Sequence, residues 1–321
     1  MTSDRRRPAS ASRMRGALLA LAGAAMLGAC ASAPRATDAA VLPATAETDE
    51  YGVLVMAHGG GDTWNSEVTQ ALAPLQAEFP MWIAFGMADA ASLQAGVDAL
   101  ERQGVKRIGV VRLFISGESW YQRTRQILGL EPGAPPKPQA DDAAHAQHGG
   151  HSMALWRLDS DASFAVSRDG LADAPEMGAV LVERARALSR DPGQEDVLVL
   201  AHGPEDDAEN ERWLARIDAR ANAVREALPF RRLQVMTLRE DWPDKRAAAT
   251  ARIRSYVQRA ASEGGRAIVI PFRVQGFGPY AEVLQGLEYV ADGRGLVPDT
   301  EVTAWVRRQA ETLRAGEFAG E

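Results

Sequence analysis

The chain has 321 residues, 46% of them hydrophobic and 25% charged, enough apolar material for one large domain or two of medium size. Its 29 glycines follow no period and it holds a single cysteine, which excludes collagen-like, disordered and disulfide-scaffold classes. A formal charge of −7 argues against a broad basic face for nucleic acid. The charge is uneven: Arg5, Arg6, Arg7, Arg13 and Arg15 stand against Asp4 in the first thirty residues, so the remainder is strongly acidic.

Residues 1–29 read as an export signal. A basic stretch ending at Arg15 precedes the apolar run from Gly16 to Leu27, too short to span a bilayer and closed by small residues. Leu27-Gly-Ala-Cys30 resembles a bacterial lipoprotein cleavage box, which implies lipid on Cys30, removal of residues 1–29 and a membrane-anchored domain facing the periplasm. The alternative is a plain signal with an incidental cysteine. Residues 30–49 are small and polar with Pro34 and Pro43, the composition of a tether. Once Cys30 is lipidated no thiol remains, so an oxidising compartment is tolerated.

From residue 50 the chain reads as a duplicated α/β unit. Gly52-Val-Leu-Val-Met-Ala-His58-Gly59 returns 144 residues later as Asp196-Val-Leu-Val-Leu-Ala-His202-Gly203. Such Val/Leu runs are strands buried on both faces of a parallel sheet. Helical patterns follow at 66–78 and 207–227, second strands at 81–87 and 233–238, and helices at 92–103 and 245–263 that end near Gly104 and Gly264. Third strands at 107–115 and 266–274 each lead through a polar-glycine turn into another helix. Alternating strands and helices predict two similar lobes, each a central parallel sheet flanked by helices, with a cleft between them. The halves run over 50–129 and 195–321, with 153–194 ending the first. Between them, 130–152 is an insertion whose Pro132, Pro135, Pro136 and Pro138 forbid regular structure.

In open α/β sheets ligands bind beyond the carboxyl ends of strands, where His58 and His202 stand. Imidazole there binds a borderline metal (Zn, Co, Ni or Fe) or exchanges protons; the bland alternative is a histidine capping the next turn. Repetition of the string favours function. No Gly-x-Ser-x-Gly elbow, dinucleotide fingerprint or P-loop follows any strand.

Val53-Leu-Val-Met-Ala-His-Gly59, Phe85-Gly-Met-Ala-Asp89 with Ala95-Gly-Val-Asp-Ala-Leu100, and the run from Gly104 to Ser116 together resemble the sirohydrochlorin cobaltochelatase/ferrochelatase family, the class II chelatases. The resemblance covers most of 51–128 and, more loosely, 195–312. It implies a lyase that inserts a divalent metal into a sirohydrochlorin-type tetrapyrrole held between two halves. It makes His58 and His202 metal ligands. It also places Glu282, in the stretch from Gln275 to Leu284, opposite the metal-site histidine, although that stretch is one residue short and a solvated helix face is the alternative. After the third strand the family usually offers a second histidine; here Leu113-Phe-Ile-Ser-Gly-Glu-Ser-Trp120 has none. Glu118 can supply a carboxylate ligand or base instead, or the first-half site has lost its chemistry.

His145, His148 and His151, with Asp141 and Asp142, form a possible accessory metal site in the insertion or belong to a bland linker. The acidic run Glu205, Asp206, Asp207, Glu209 and Glu211 reads as the charged first turn of a helix. Trp120 and Phe277 are the candidates for stacking on a tetrapyrrole. Arg112, Arg123 and Arg273 are candidates for its carboxylates, with internal ion pairs as the simpler expectation. Beside the chelatase reading stands a non-catalytic periplasmic lipoprotein that binds metal or tetrapyrrole; the missing histidine and the export signal favour it. A purely structural envelope lipoprotein is a third.

Overall fold

The computed structural model describes residues 50–138 and 153–318. Two four-stranded parallel sheets form its frame. In the first, the order is β2 (Met81–Phe85), β1 (Tyr51–Ala57), β3 (Arg107–Leu113) and β4 (Ser163–Val166). In the second, it is β6 (Arg232–Thr237), β5 (Glu195–Ala201), β7 (Arg266–Pro271) and β8 (Tyr289–Val290). β1 and β5 are buried along their whole length, as continuous apolar runs inside a parallel sheet must be.

The strand pleat sends alternate residues to opposite faces, and this divides the core into three. Val53, Val55 and Ala57 of β1 join Val197, Val199 and Ala201 of β5 in one central cluster. Leu54 and Met56 face an outer cluster with α2 (Ala90–Glu101), whereas Leu198 and Leu200 face another with α6 (Pro243–Ser262). The central cluster is filled by four helices: α1 (Asp62–Leu72), α4 (Glu176–Leu188), α5 (Asp207–Ala227) and α8 (Thr300–Arg314). Short helices α3 (Tyr121–Ile127) and α7 (Tyr280–Val283) follow β3 and β7.

Helices α4 and α8 are exchanged between lobes. α4 follows the first sheet in the chain, yet its Arg184 donates to Asp292 and to the carbonyls of Pro271, Gly295 and Arg294 in the second lobe. α8 follows the second sheet and returns to the first, where Tyr51 donates to the Ala310 carbonyl at 2.6 Å and Thr303 to that of Ala71 at 2.8 Å. Arg307 pairs with Glu78 across the same contact. α4 also lies close on α5: a Cβ at Gly178 would stand 3.2 Å from that of Ala223.

Boundaries differ from the sequence expectation mainly at α1, which starts at Asp62 rather than 66 because extended Gly61 caps it. It gives way to a 3-10 turn, Ala73–Ala77, where Pro74 lacks the amide that would continue an α-helix. Residues 130–138 carry no strand or helix beyond an isolated bridge from Pro136 to Arg157. The returning chain is pinned to α2: Gln94 bonds both the amide and the carbonyl of Asp159, and Asp89 accepts from Ala154 while capping the helix. No helix among the described residues is long and apolar enough to cross a membrane.

Arg184→Ala leaves a half-buried carboxylate and three carbonyls without their donor, and is expected to cost about 3 kcal/mol. A drop in the urea midpoint with unchanged slope checks this.

Candidate functional site

The two Ala-His-Gly steps end β1 and β5 in the same way. Gly59 and Gly203 both have φ of 80°, a left-handed turn that a side chain resists. At Gly203 a Cβ would also lie 2.6 Å from that of Thr237. The next step is repeated too: amides after the second strand close on the carbonyls of Ala57 and His58 in one lobe and of Ala201 and His202 in the other. Met87 and Arg239 sit at matching positions there, both left-handed at φ of 60° and 56°. These turns lift the two imidazoles off the strand ends.

His58 and His202 line one hollow of about 240 Å³. Trp64, Trp120, Trp213 and Phe114 wall it, and Ser119, Glu240, Asp241, Arg273 and Gln275 supply its polar groups. The imidazoles differ in setting. His58 is exposed, and its Nδ1 lies 2.7 Å from the Gly59 carbonyl. A carbonyl only accepts, so Nδ1 is the donor and Nε2 is the ring nitrogen left to meet a ligand. His202 is half-buried against Trp213, ring centres 5.0 Å apart, and its ring makes no hydrogen bond among the described residues. Burial and then the Arg273 charge push its pKa down to about 4, against the opposing pull of Asp241. His202 is therefore a neutral imidazole at physiological pH.

Arg273 is held to Glu240 by an ion pair and stacks on Tyr280. The second Glu240 oxygen, the Arg273 Nε and the Tyr280 hydroxyl are buried without hydrogen-bond partners. Two reciprocal contacts join the lobes beside the hollow. Glu118, after β3, is clamped by Arg212 and Arg216 of α5; Gln275, after β7, donates to Glu67 of α1 at 2.9 Å.

Several expected site residues take other places. Glu118 does not line the hollow: both oxygens are engaged by arginines, and the Arg212 hydrogen bond holds its carboxyl below the usual range. A carboxylate so paired is not free to act as ligand or base while the arginines hold it. Glu282 is exposed on α7 and does not line the hollow, whereas Val283 and Leu284 face the core. Phe277 stacks on Tyr289 instead of lining the hollow, whereas Trp120 does line it. Among the described residues, the Arg112 and Arg123 guanidinium groups bond only backbone carbonyls. In the acidic run, Asp206 caps α5 and Asp207 pairs with Arg239 and Lys245. Cys30, His145, His148 and His151 lie outside the described residues. Among those described, no three His, Cys, Asp or Glu side chains gather as a metal cage.

The sequence reading missed Glu240 and Asp241. They stand in the loop after β6, just past Leu238 and Arg239, so the strand-end rule applied to the second strand, and not only to the first and third, would have found them.

No protein-family model matches the chain, and no curated protein matches it by sequence. Solved structures do. SirB from Bacillus subtilis with Fe3+ aligns over 83% of this chain and 96% of its own, with TM-score 0.59 at 14% identity. The sirohydrochlorin chelatase SirB from Bacillus subtilis subspecies spizizenii in complex with cobalt gives 0.53 at 14%, over 84% and 98%. DR2241 from Deinococcus radiodurans, a multi-domain protein with structural similarity to chelatases, gives 0.50 at 18%, over 81% and 54%.

The fold is chelatase-like.

Because the depressed His202 is protonated more readily in the unfolded chain, its contribution to stability is present above pH 6.5 and lost as pH falls toward about 4. Melting temperature should decline over that window, less steeply in His202→Gln. The His202 ring should titrate near pH 4 in an NMR series.

Proposed function

We propose that this chelatase-like protein binds a divalent metal ion (Co, Fe, Ni or Zn) and inserts it, as substrate, into a tetrapyrrole of the sirohydrochlorin type. The observation that carries this reading is the meeting of His58 and His202, one from each lobe, in a single hollow. Fe3+ and cobalt in the similar SirB structures support metal as the cargo.

The donor chemistry suits a borderline cation. The free Nε2 of His58 and the unprotonated ring of His202 are ready ligands, since a metal competes with protons for imidazole. A two-imidazole set leaves coordination positions to water and holds the ion loosely enough to release it. The Asp241 carboxylate lies within electrostatic reach of His202 and is exposed to solvent, so it can take the two pyrrole N–H protons that metal entry displaces one after the other, passing each to water before the next. Trp64, Trp120 and Trp213 offer faces to a conjugated ring. The hollow is smaller than the roughly 300–1,000 Å³ that encloses a drug-sized ligand, so one edge of a macrocycle enters and the rest stays in the cleft mouth.

A spectrophotometric assay with sirohydrochlorin and Co2+ tests the enzyme. Insertion above the spontaneous rate should fall at least tenfold in His202→Ala. Asp241→Asn should lower turnover with little change in ring affinity. Stoichiometric uptake without turnover would assign the carrier reading, which the lack of a third close ligand among the described residues favours. Metal affinity should stay level from pH 8 to about 5 if His202 dominates binding.

We also propose that the domain acts outside the cytoplasm on a lipid tether at Cys30. Cys30→Ser should move the protein from the membrane fraction to the soluble fraction.

A further inference from the structure

Arg112 is a fully buried cation in the first sheet, and no carboxylate touches it among the described residues. Its guanidinium is spent on backbone carbonyls. Nε donates to Ser167 at 2.9 Å, Nη1 to Ser119 at 2.7 Å, and Nη2 to Gly117 at 2.8 Å and Arg168 at 3.0 Å. Its Cζ lies over the Tyr121 ring, 4.6 Å from the ring centre. Burial lowers its pKa to about 10, so it stays charged at neutral pH. A desolvated charge of this kind is costly unless every donor is used.

Two of the carbonyls it holds, Gly117 and Ser119, lie within the β3–α3 loop, and the other two, Ser167 and Arg168, lie just after β4, so the guanidinium ties one segment to the other. That loop brings Phe114, Ser119 and Trp120 to the hollow and sends Glu118 across to Arg212. Trp120 is left-handed at φ of 61°, an uncommon state for a bulky residue that persists only where its surroundings enforce it. The second lobe does not repeat the device. Met56 and Leu200 are matching strand residues, and opposite Met56 stands Arg112 while opposite Leu200 stands Pro271.

We propose that Arg112 is a positioning residue: by gripping the carbonyls of Gly117 and Ser119 it fixes the first-lobe loop so that Trp120 presents its indole to a planar ligand in the hollow. In this lobe the loop grips the ring, while metal is held by the imidazoles at β1 and β5. The identity of the ligand rests on the proposed function; the pinning of the loop does not.

The test uses the full chain with two substitutions. Arg112→Met removes the buried charge while keeping volume, and Arg112→Lys retains a cation with fewer donors. Hydrogen exchange at amides 117–121 should rise in both variants, more in Arg112→Met. Sirohydrochlorin affinity, read by tryptophan quenching with Trp120→Phe as the reference for that indole, should weaken at least tenfold in Arg112→Met and less in Arg112→Lys. Co2+ affinity should move less than twofold. An Arg112→Met protein that keeps sirohydrochlorin affinity within twofold overturns the proposal, as does equal loss of ring and metal affinity in both variants, the mark of general unfolding. Should the wild type bind no sirohydrochlorin, the proposed function fails on its own. Arg112 is then judged on the ligand-free protein, where unchanged exchange at 117–121 and unchanged acrylamide access to Trp120 overturn it.

Discussion

The structure depends on a helical layer that belongs to neither lobe alone. Each sheet has an inner face of Val and Ala from its central strand, and neither face can be left to water without losing the apolar burial that drives folding. Both are covered by the same four helices, two of which are traded between lobes. With α4 anchored on the second sheet and α8 on the first, the lobes cannot rotate freely without breaking a shared core. The strand ends of both sheets are thereby kept beside one hollow.

That constraint gives two similar histidines dissimilar chemistry. Trp213 is buried and lies 5.0 Å from the His202 ring, whereas half-buried Trp64 lies 6.4 Å from His58. Closer apolar packing and the Arg273 charge keep His202 neutral, while His58 remains open to solvent with its tautomer set by the Gly59 carbonyl. One imidazole is thus prepared by desolvation and the other by a hydrogen bond. The loops after the third strands divide in the same way. The first-lobe loop is hung on a buried guanidinium, and the second carries Arg273 and Gln275 into the hollow.

Charge placement explains why the residues that looked most like ligands are elsewhere. Glu118 has the position after β3 that invites a catalytic role, but two arginines of α5 reach it first across the lobe boundary. Those arginines are 94 or more residues away in the chain, so nothing local to Glu118 reveals them. Glu282 sits on a helix of only four residues, where a shift of one position decides between core and solvent. Glu240 and Asp241 were hidden by their ordinariness: a Glu-Asp pair before a helix reads as a charged first turn.

The linear order of residues was sufficient to show the duplication, the parallel strands and the two His-Gly turns. Each depends on short-range rules: continuous apolar runs for strands buried on both faces, helical periodicity between them, and glycine where the backbone turns left-handed. Hence the periodicity of 207–227 marks both ends of α5, and the repeated strings put His58 and His202 at strand ends. The exchange of α4 and α8, the sharing of one hollow by both imidazoles, the capture of Glu118 and the burial that neutralises His202 were decided only in three dimensions. These are contacts between segments far apart in the chain, set by which faces must be buried together, and a one-dimensional pattern carries no record of them.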